Sequence, residues 1–276
     1  MAQEIFKSHN WAVLWRSTST LGRQALIQFL WHTAFKPQQT ITWRLEAPCH
    51  PSADGEWSMR QLSDLLSLDD PVPCDATHLD STELPIIQTI CHLAQAKYYC
   101  PITNFSSLIV QYIYNAMDES TLEEATRLWT GSIRSAKISV LHASCVFEIV
   151  RKYRPRFFSI SVMLFKAVLT LWSYSKFLLP KFDVTKESTP GRYPTSALLG
   201  CSISKGSTDL WLNNDNVVAK LGGIGNLDRA SARRKMLDEA VALMQMDNVW
   251  MLGQSYAKCL VRLKEKELVP AADIGE

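Results

Sequence analysis

The segment Ile160–Leu179 constrains the fold more than any other part of the chain, because it is the most hydrophobic stretch. Its ten strongly apolar residues favour membrane insertion by about 4 kcal/mol, while Lys166 near the centre opposes it by about 3 kcal/mol and Lys176 with four Ser or Thr residues opposes it further. Lys166, Thr170 and Ser173 fall on one narrow helical stripe. The segment therefore predicts a core helix touching neighbours on most sides, and a membrane span stays open as the alternative.

Apolar residues recur at helical spacing along nearly the whole chain, and the long alternating runs of half-buried strands are missing. Pro85 suits the first turn of a helix that buries Ile86, Ile90 and Leu93. Ser120 and Glu123 have the spacing of a capping box at the start of another helix. We predict an all-α fold, a single large helical domain over residues 1–276 with about ten helices and little or no sheet.

Two stretches interrupt this helical pattern. Residues 46–83 hold nine Asp or Glu residues, four prolines and one base, Arg60, which predicts an acidic loop region with at most one short helix. Residues 180–215 carry prolines and glycines among Ser and Thr, which predicts a long surface loop.

Charge and cysteine usage narrow the class of protein. The chain has 29 Lys and Arg against 27 Asp and Glu, a net charge of +2. Nucleic-acid binding over the whole surface requires a net basic protein, so this balance argues against it. Seven cysteines, none at Cys-x-x-Cys spacing, follow an N-terminus in which Glu4 and Lys7 interrupt any apolar leader. We therefore expect reduced thiols in the cytosol or nucleus.

Two groups of residues could carry catalytic or metal chemistry. His142 and Cys145 are three apart on a predicted helix, as a thiolate–imidazole dyad requires, but their apolar surroundings favour an inert thiol and a hydrogen-bonded core histidine. The spacings of Cys49, His50, Cys74 and His78 match no common zinc framework. We predict no catalytic residue, no metal ligand and no cofactor-binding residue, while the dyad and the metal site remain alternatives.

The glycine turn Gly222–Gly225 invites comparison with a dinucleotide-binding loop. Asp228 stands where the third glycine of that fingerprint belongs, and no parallel-sheet pattern surrounds the turn. The pattern instead predicts a glycine turn followed by a helix that Asp228 caps.

One basic cluster contains an aromatic residue, Tyr153. Its cations Arg151, Lys152, Arg154 and Arg156 are weak candidates for contacts to nucleic-acid phosphates. The favoured interpretation is the cationic last turn of a helix that Pro155 ends.

Several loose motifs follow one another along most of the chain. They are Phe35-x-Pro37 leading to Ala47-Pro48-Cys49; Leu141-His142-Ala143 before Val146-Phe147 and a basic turn; Val168-Leu169-Thr170-Leu171-Trp172-Ser173-Tyr174-Ser175; and Ile224-Gly225-Asn226-Leu227 before Leu237-Asp238-Glu239-Ala240 and Val249-Trp250. In this order they resemble the regulatory (middle homology) domain of fungal-specific transcription factors, of the type paired with two-Cys two-His zinc fingers. The motif residues expected to be structural are His142, Leu169, Leu171, Trp172, Gly225, Asn226 and Trp250.

The resemblance implies a helical domain that regulates DNA-templated transcription in a fungal nucleus by binding rather than by catalysis. Its implied partners are other transcription-regulatory proteins or a separate DNA-binding module, and a small apolar effector is a further possibility. The zinc-binding, base-reading module of the family is missing from this sequence, and residues 50–83 lack the family's Trp-x-Ala. No specific DNA binding and no zinc are therefore expected of this chain alone, which would be a truncated or split factor or a regulatory domain working by itself.

Two other functions stay open beside the resemblance. One is a helical enzyme of fungal metabolism, which a saturable activity or a co-purified cofactor would reveal. The other is a membrane-associated helical protein that uses Ile160–Leu179, which carbonate-resistant pelleting would reveal.

Overall fold

A computed structural model describes residues 83–99, 102–130, 132–155, 159–179, 196–200, 205–214, 217–246 and 251–267. These residues form eight α-helices, one π-helical turn and three short strands, so the prediction of a mostly helical fold is confirmed. In chain order the elements are α1 (Glu83–Tyr99), α2 (Ile102–Ile113), α3 (Glu119–Thr130), α4 (Ile133–Tyr153), α5 (Ile160–Ser173), the π turn (Tyr174–Leu178), β1 (Ser196–Leu199), α6 (Lys205–Asn213), β2 (Val218–Leu221), β3 (Gly225–Asn226), α7 (Ala230–Met246) and α8 (Met251–Lys266).

The chain divides into two compact units, Met1–Cys91 and His92–Glu276, with the boundary inside α1. In the first unit the structure describes residues 83–91, where Ile86 and Ile90 are buried as the sequence predicts. The single domain over residues 1–276 stays a prediction. The acidic loop region lies outside the described residues apart from Glu83.

Helix α5 is the centre of the second unit, and it packs against α2, α4, α7 and α8. Twelve of its 14 residues are buried, which confirms the core helix that the apolar run predicts. The hydroxyls of Thr170 and Ser173 donate to the backbone carbonyls of Lys166 and Leu169, at 2.9 and 2.7 Å, so both hydroxyls are satisfied within the helix. Among the described residues, no helix has the length and apolar character that crossing a membrane requires.

Helix α4 begins and ends where local chemistry dictates. The Ser132 hydroxyl accepts a hydrogen bond from the Ser135 amide at 3.1 Å, which satisfies one of the free amides of the first turn. At the other end Arg154 adopts a left-handed conformation with φ +47°, and its amide donates to the Val150 carbonyl. Pro155 follows, and the predicted end of this helix is confirmed.

The three strands form one small sheet in the order β1-β2-β3. Strand β1 pairs parallel with β2, in the register Ser196 with Val218, and α6 connects the two strands. Strand β2 pairs antiparallel with β3 across the glycine turn. The argument that no parallel sheet surrounds this turn is therefore wrong.

The sheet also corrects the surface loop predicted over residues 180–215. Within that range, β1 buries Ala197 and Leu199, and α6 buries Trp211 completely. The Trp211 indole donates to the Lys137 carbonyl of α4 at 3.3 Å. A four-residue strand has no detectable period, and its partner lies beyond a helix, so composition alone suggested a loop. The remainder of the range lies outside the described residues.

Candidate functional site

A solvent-open groove with a volume of about 610 Å³ runs along one face of α8. We call it the α8 groove. Helix α8 forms its long wall, while Tyr114, which follows α2, and Gln245, near the end of α7, complete it. Its lining residues are Tyr114, Gln245, Gln254, Ala257, Lys258, Val261, Arg262 and Glu265.

The apolar part of the groove is exposed. The Tyr114 side chain is 51% exposed and Val261 is 39% exposed, which places both among the most exposed large apolar side chains of the described residues. Ala257, one turn before Val261 on α8, is buried. Tyr114 is held at the edge because α2 ends there, and Asn115 takes a left-handed φ of +58°. Exposed apolar side chains that line a concave surface are typical of a binding site.

Two cations in the groove, Lys258 and Arg262, stand one helical turn apart on α8. Among the described residues, neither has a carboxylate within ion-pair distance, and the Arg262 guanidinium lies 4.6 Å from the centroid of the Tyr114 ring. The neighbouring lysines of α8 are engaged: Lys264 pairs with Asp238 at 2.5 Å, and Lys266 donates to the Asn115 side chain at 2.6 Å. The groove therefore presents two cations beside its apolar surface.

The end of α8 is fixed by Glu267, whose side chain is only 3% exposed. The Trp172 indole donates to one carboxylate oxygen at 3.0 Å, and the Arg233 guanidinium donates to the other at 3.0 and 3.2 Å. The Lys176 ammonium lies 3.8 Å from the first oxygen and 2.9 Å from Glu119. A buried carboxylate with these partners ties α8 to α5 and α7. We refer to it as the Glu267 network.

His142 is hydrogen-bonded, as the favoured interpretation predicts, and its partner is His92. Its Nδ1 lies 3.0 Å from Nδ1 of His92, so one ring donates a hydrogen bond to the other. Burial lowers the pKa of His142 to about 4, and burial together with the nearby His142 lowers the pKa of His92 well below its usual value. Both rings are neutral at pH 7. Cys145 is buried, as an inert thiol would be.

The basic cluster is only partly available for phosphate contacts. Arg151 turns toward the sheet, donates to the Gly222 carbonyl at 2.5 Å and lies 3.7 Å from Glu239. Lys152 and Arg154 are exposed, and the Lys152 ammonium lies 4.9 Å from the Tyr153 ring centroid. Arg156 lies outside the described residues. The Arg151 guanidinium also lies beside Gly223, 3.3 Å from the position that a Cβ there would take.

Besides His142 in α4, the described motif residues lie in α5 and β3. Leu169, Leu171 and Trp172 are completely buried in α5, while Gly225 and Asn226 form β3, where Gly225 has φ +117°. Trp250 lies outside the described residues. Asp228 was predicted to cap α7, but its Oδ1 is buried without a hydrogen-bond partner.

The metal alternative cannot be placed, since Cys49, His50, Cys74 and His78 lie outside the described residues. Within the ranges that the structure does describe, no three His, Cys, Asp or Glu side chains come together as a metal site requires.

The sequence reasoning missed the α8 groove and the Glu267 network. The groove had one detectable signal, the cation pair Lys258 and Arg262 four residues apart beside the apolar Val261. Glu267 had none, because its partners come from residues 172, 176 and 233.

Comparison with protein-family models, with curated proteins and with solved structures gave no match.

Proposed function

We propose that this chain is the regulatory domain of a fungal transcription factor, and that it acts in the nucleus by binding a partner at the α8 groove rather than by catalysis. The ordered motif resemblance supports the first half of the proposal. The α8 groove supports the second half, because it joins exposed apolar side chains to two cations that lack carboxylate partners among the described residues. The partner is another transcription-regulatory protein or a separate DNA-binding module.

The shape of the groove favours a protein partner over a small apolar effector. Small-molecule sites are concave, largely enclosed and mostly apolar. The α8 groove is open, and five of its eight lining residues are charged or carry a side-chain amide. From Gln254 to Glu265 the helix rises by about 16 Å, which is three turns, the length of a typical helical recognition segment.

Binding at this groove would regulate an attached or associated DNA-binding module in one of two ways. A partner can be recruited to the promoter, or it can favour one arrangement of the domain over another. The second effect cannot exceed the difference in the partner's affinity for the two arrangements, typically about 1–3 kcal/mol.

A reporter assay tests the proposal. The full chain is fused to a heterologous DNA-binding module in a fungal host, and reporter output is compared with that of the module alone. Val261→Glu places a charge in the groove and should abolish the effect of the chain. Ile133→Glu is the matched control: Ile133 is 49% exposed at the first position of α4, where a carboxylate suits the helix N-terminus.

Two outcomes would contradict the proposal. One is reporter output identical to that of the module alone. The other is equal loss of output in Val261→Glu and Ile133→Glu, because that would separate the effect from the groove. Turnover of a substrate by the purified chain would overturn the non-catalytic half.

We also propose that the chain alone does not bind DNA sequence-specifically. The net charge of +2 and the engagement of Arg151 with the sheet support this. Gel-shift titration at physiological salt should give weak binding without sequence preference. Nanomolar affinity for particular sequences would refute it.

A further inference from the structure

We infer that the partner of the α8 groove presents an amphipathic helix with carboxylates beside its apolar face. This inference rests on the proposed function and specifies the chemistry of the binding partner. It follows from three properties of the groove: its apolar surface, its cations and its length.

The apolar surface requires an apolar face on the partner. Tyr114 and Val261 are the exposed large apolar side chains of the lining, and the small side chain of Ala257 is buried beneath it. A helix with leucine-like side chains at positions i, i+3 or i+4, and i+7 would cover this surface along one face.

The cations require carboxylates on the partner. Lys258 and Arg262 are exposed and one turn apart, so two carboxylates one turn apart on a packed helix would match both. The Arg262 guanidinium is already positioned by the Tyr114 ring, and a guanidinium that stacks on an aromatic face keeps its edge N–H groups free for a carboxylate. An apolar effector would leave both charges without a partner.

The third charge, Glu265, gives the groove a polarity. It is exposed and lies nearly a turn beyond Arg262, toward the C-terminal end of α8. Carboxylates of the partner are therefore favoured at the end near Lys258 and disfavoured at the end near Glu265. A second copy of α8 does not meet this requirement well, because its own groove face carries two cations and one carboxylate.

The experiment uses the full chain and a labelled synthetic peptide of about 14 residues, a helix with leucines on one face and two glutamates one turn apart beside them. Fluorescence anisotropy gives its Kd. Two comparison peptides carry lysine in place of the glutamates, or serine in place of the leucines. We expect the acidic peptide to bind most tightly, and its affinity to fall as salt is raised.

Charge reversal in the chain tests the same contacts from the other side. Lys258→Glu with Arg262→Glu should weaken binding of the acidic peptide about tenfold and strengthen binding of the lysine peptide. Lys235→Glu reverses an exposed cation of α7 that does not line the groove, and it should leave both affinities unchanged. Circular dichroism and urea unfolding verify that the variants fold.

Several results would overturn the inference. These are equal affinity for the acidic and lysine peptides, equal affinity for the serine peptide, or equal weakening by Lys235→Glu. Self-association of the chain that Val261→Glu abolishes would assign the groove to a second copy instead. If the reporter depends on Val261 while the peptides fail to discriminate by charge, the proposed function survives and this inference fails. If the peptides discriminate by charge but the reporter does not respond, this inference survives and the proposed function fails.

Discussion

The His92–His142 pair should make the folded chain sensitive to mild acid. The two Nδ1 atoms are 3.0 Å apart, and both rings have pKa values depressed by burial. The folded chain therefore resists taking up protons at this site. The unfolded chain does not, because its histidines titrate near the ordinary value of about 6.5.

The sign and size of the effect follow from this difference. A depressed pKa in the folded state gives stability that is complete above about pH 6.5 and is lost as the pH falls toward the folded value. For His142 the window runs from 6.5 to about 4. At about 1.4 kcal/mol per pH unit, the loss approaches about 3 kcal/mol, and His92 adds a loss of the same sign. This is a large share of the 5–15 kcal/mol that is typical of a domain.

Urea unfolding followed by tryptophan fluorescence, at pH values from about 7.5 down to about 4.5, measures this loss. His142→Gln keeps a neutral hydrogen-bonding side chain beside His92 and removes one titrating group, so its pH profile should be flatter. Asp118→Asn is the control. The Thr121 amide and neighbouring hydroxyls lower the pKa of Asp118 from 3.8 to about 2, so its contribution is lost only below this window. Equal slopes for the wild type and His142→Gln would refute the reasoning.

Substitutions at Trp172, Glu267 and Gly200 test the core and the sheet by urea unfolding at pH 7.5. Trp172→Ala should cost about 3–5 kcal/mol because it empties a completely buried site, whereas Trp172→Phe should cost about 1–3 kcal/mol, chiefly for the lost hydrogen bond to Glu267. A cost below about 1 kcal/mol for the alanine variant would contradict the burial of this ring. Glu267→Gln should cost about 3 kcal/mol, because Arg233 and Lys176 lose the carboxylate charge that they share. An unchanged free energy of unfolding would show that the Glu267 network does not stabilise the fold. Gly200→Ala should cost about 1–3 kcal/mol, because Gly200 has φ +143° and an added Cβ would collide with the Glu148 carboxylate. Adding Glu148→Ala to this variant should relieve the collision but not the backbone strain. Full recovery in that double variant would contradict the strain.

The sequence predicted the features that depend on local pattern. Helix α5 was recognisable because an apolar run with one polar stripe is typical of a core helix. The end of α4 was recognisable because Pro155 cannot continue a helix. One local prediction was wrong, because Asp118 and Ser120 compete to cap the start of α3. Ser120 and Glu123 suggested a capping box, but Asp118 caps α3 by accepting from the Thr121 amide at 2.7 Å, because a carboxylate is the stronger acceptor and its charge suits the helix N-terminus. Glu123 pairs with Arg127 instead.

The features that the sequence did not predict depend on residues far apart in the chain. His142 meets His92 fifty residues away, and the sheet joins β1 to β2 across α6. The sequence predicted a hydrogen-bonded histidine at position 142 without its partner, and it predicted a surface loop where β1 and α6 lie. The α8 groove is of the same kind, since Tyr114 and Arg262 become neighbours only when α2 and α8 pack together.

The two faces of α8 explain why the groove is suited to binding. On its inner side, Leu260 and Leu263 are completely buried, and the helix end is tied to the core by Glu267 through Trp172 and Arg233. The groove face therefore sits on a support that is fixed before any partner arrives. A binding surface held in this way spends little of its interaction energy on ordering its own side chains and backbone, so a modest groove can bind usefully. Under the proposed function, Trp172 supports the end of α8 from the core, and Arg262 contacts the partner from the groove face of the helix.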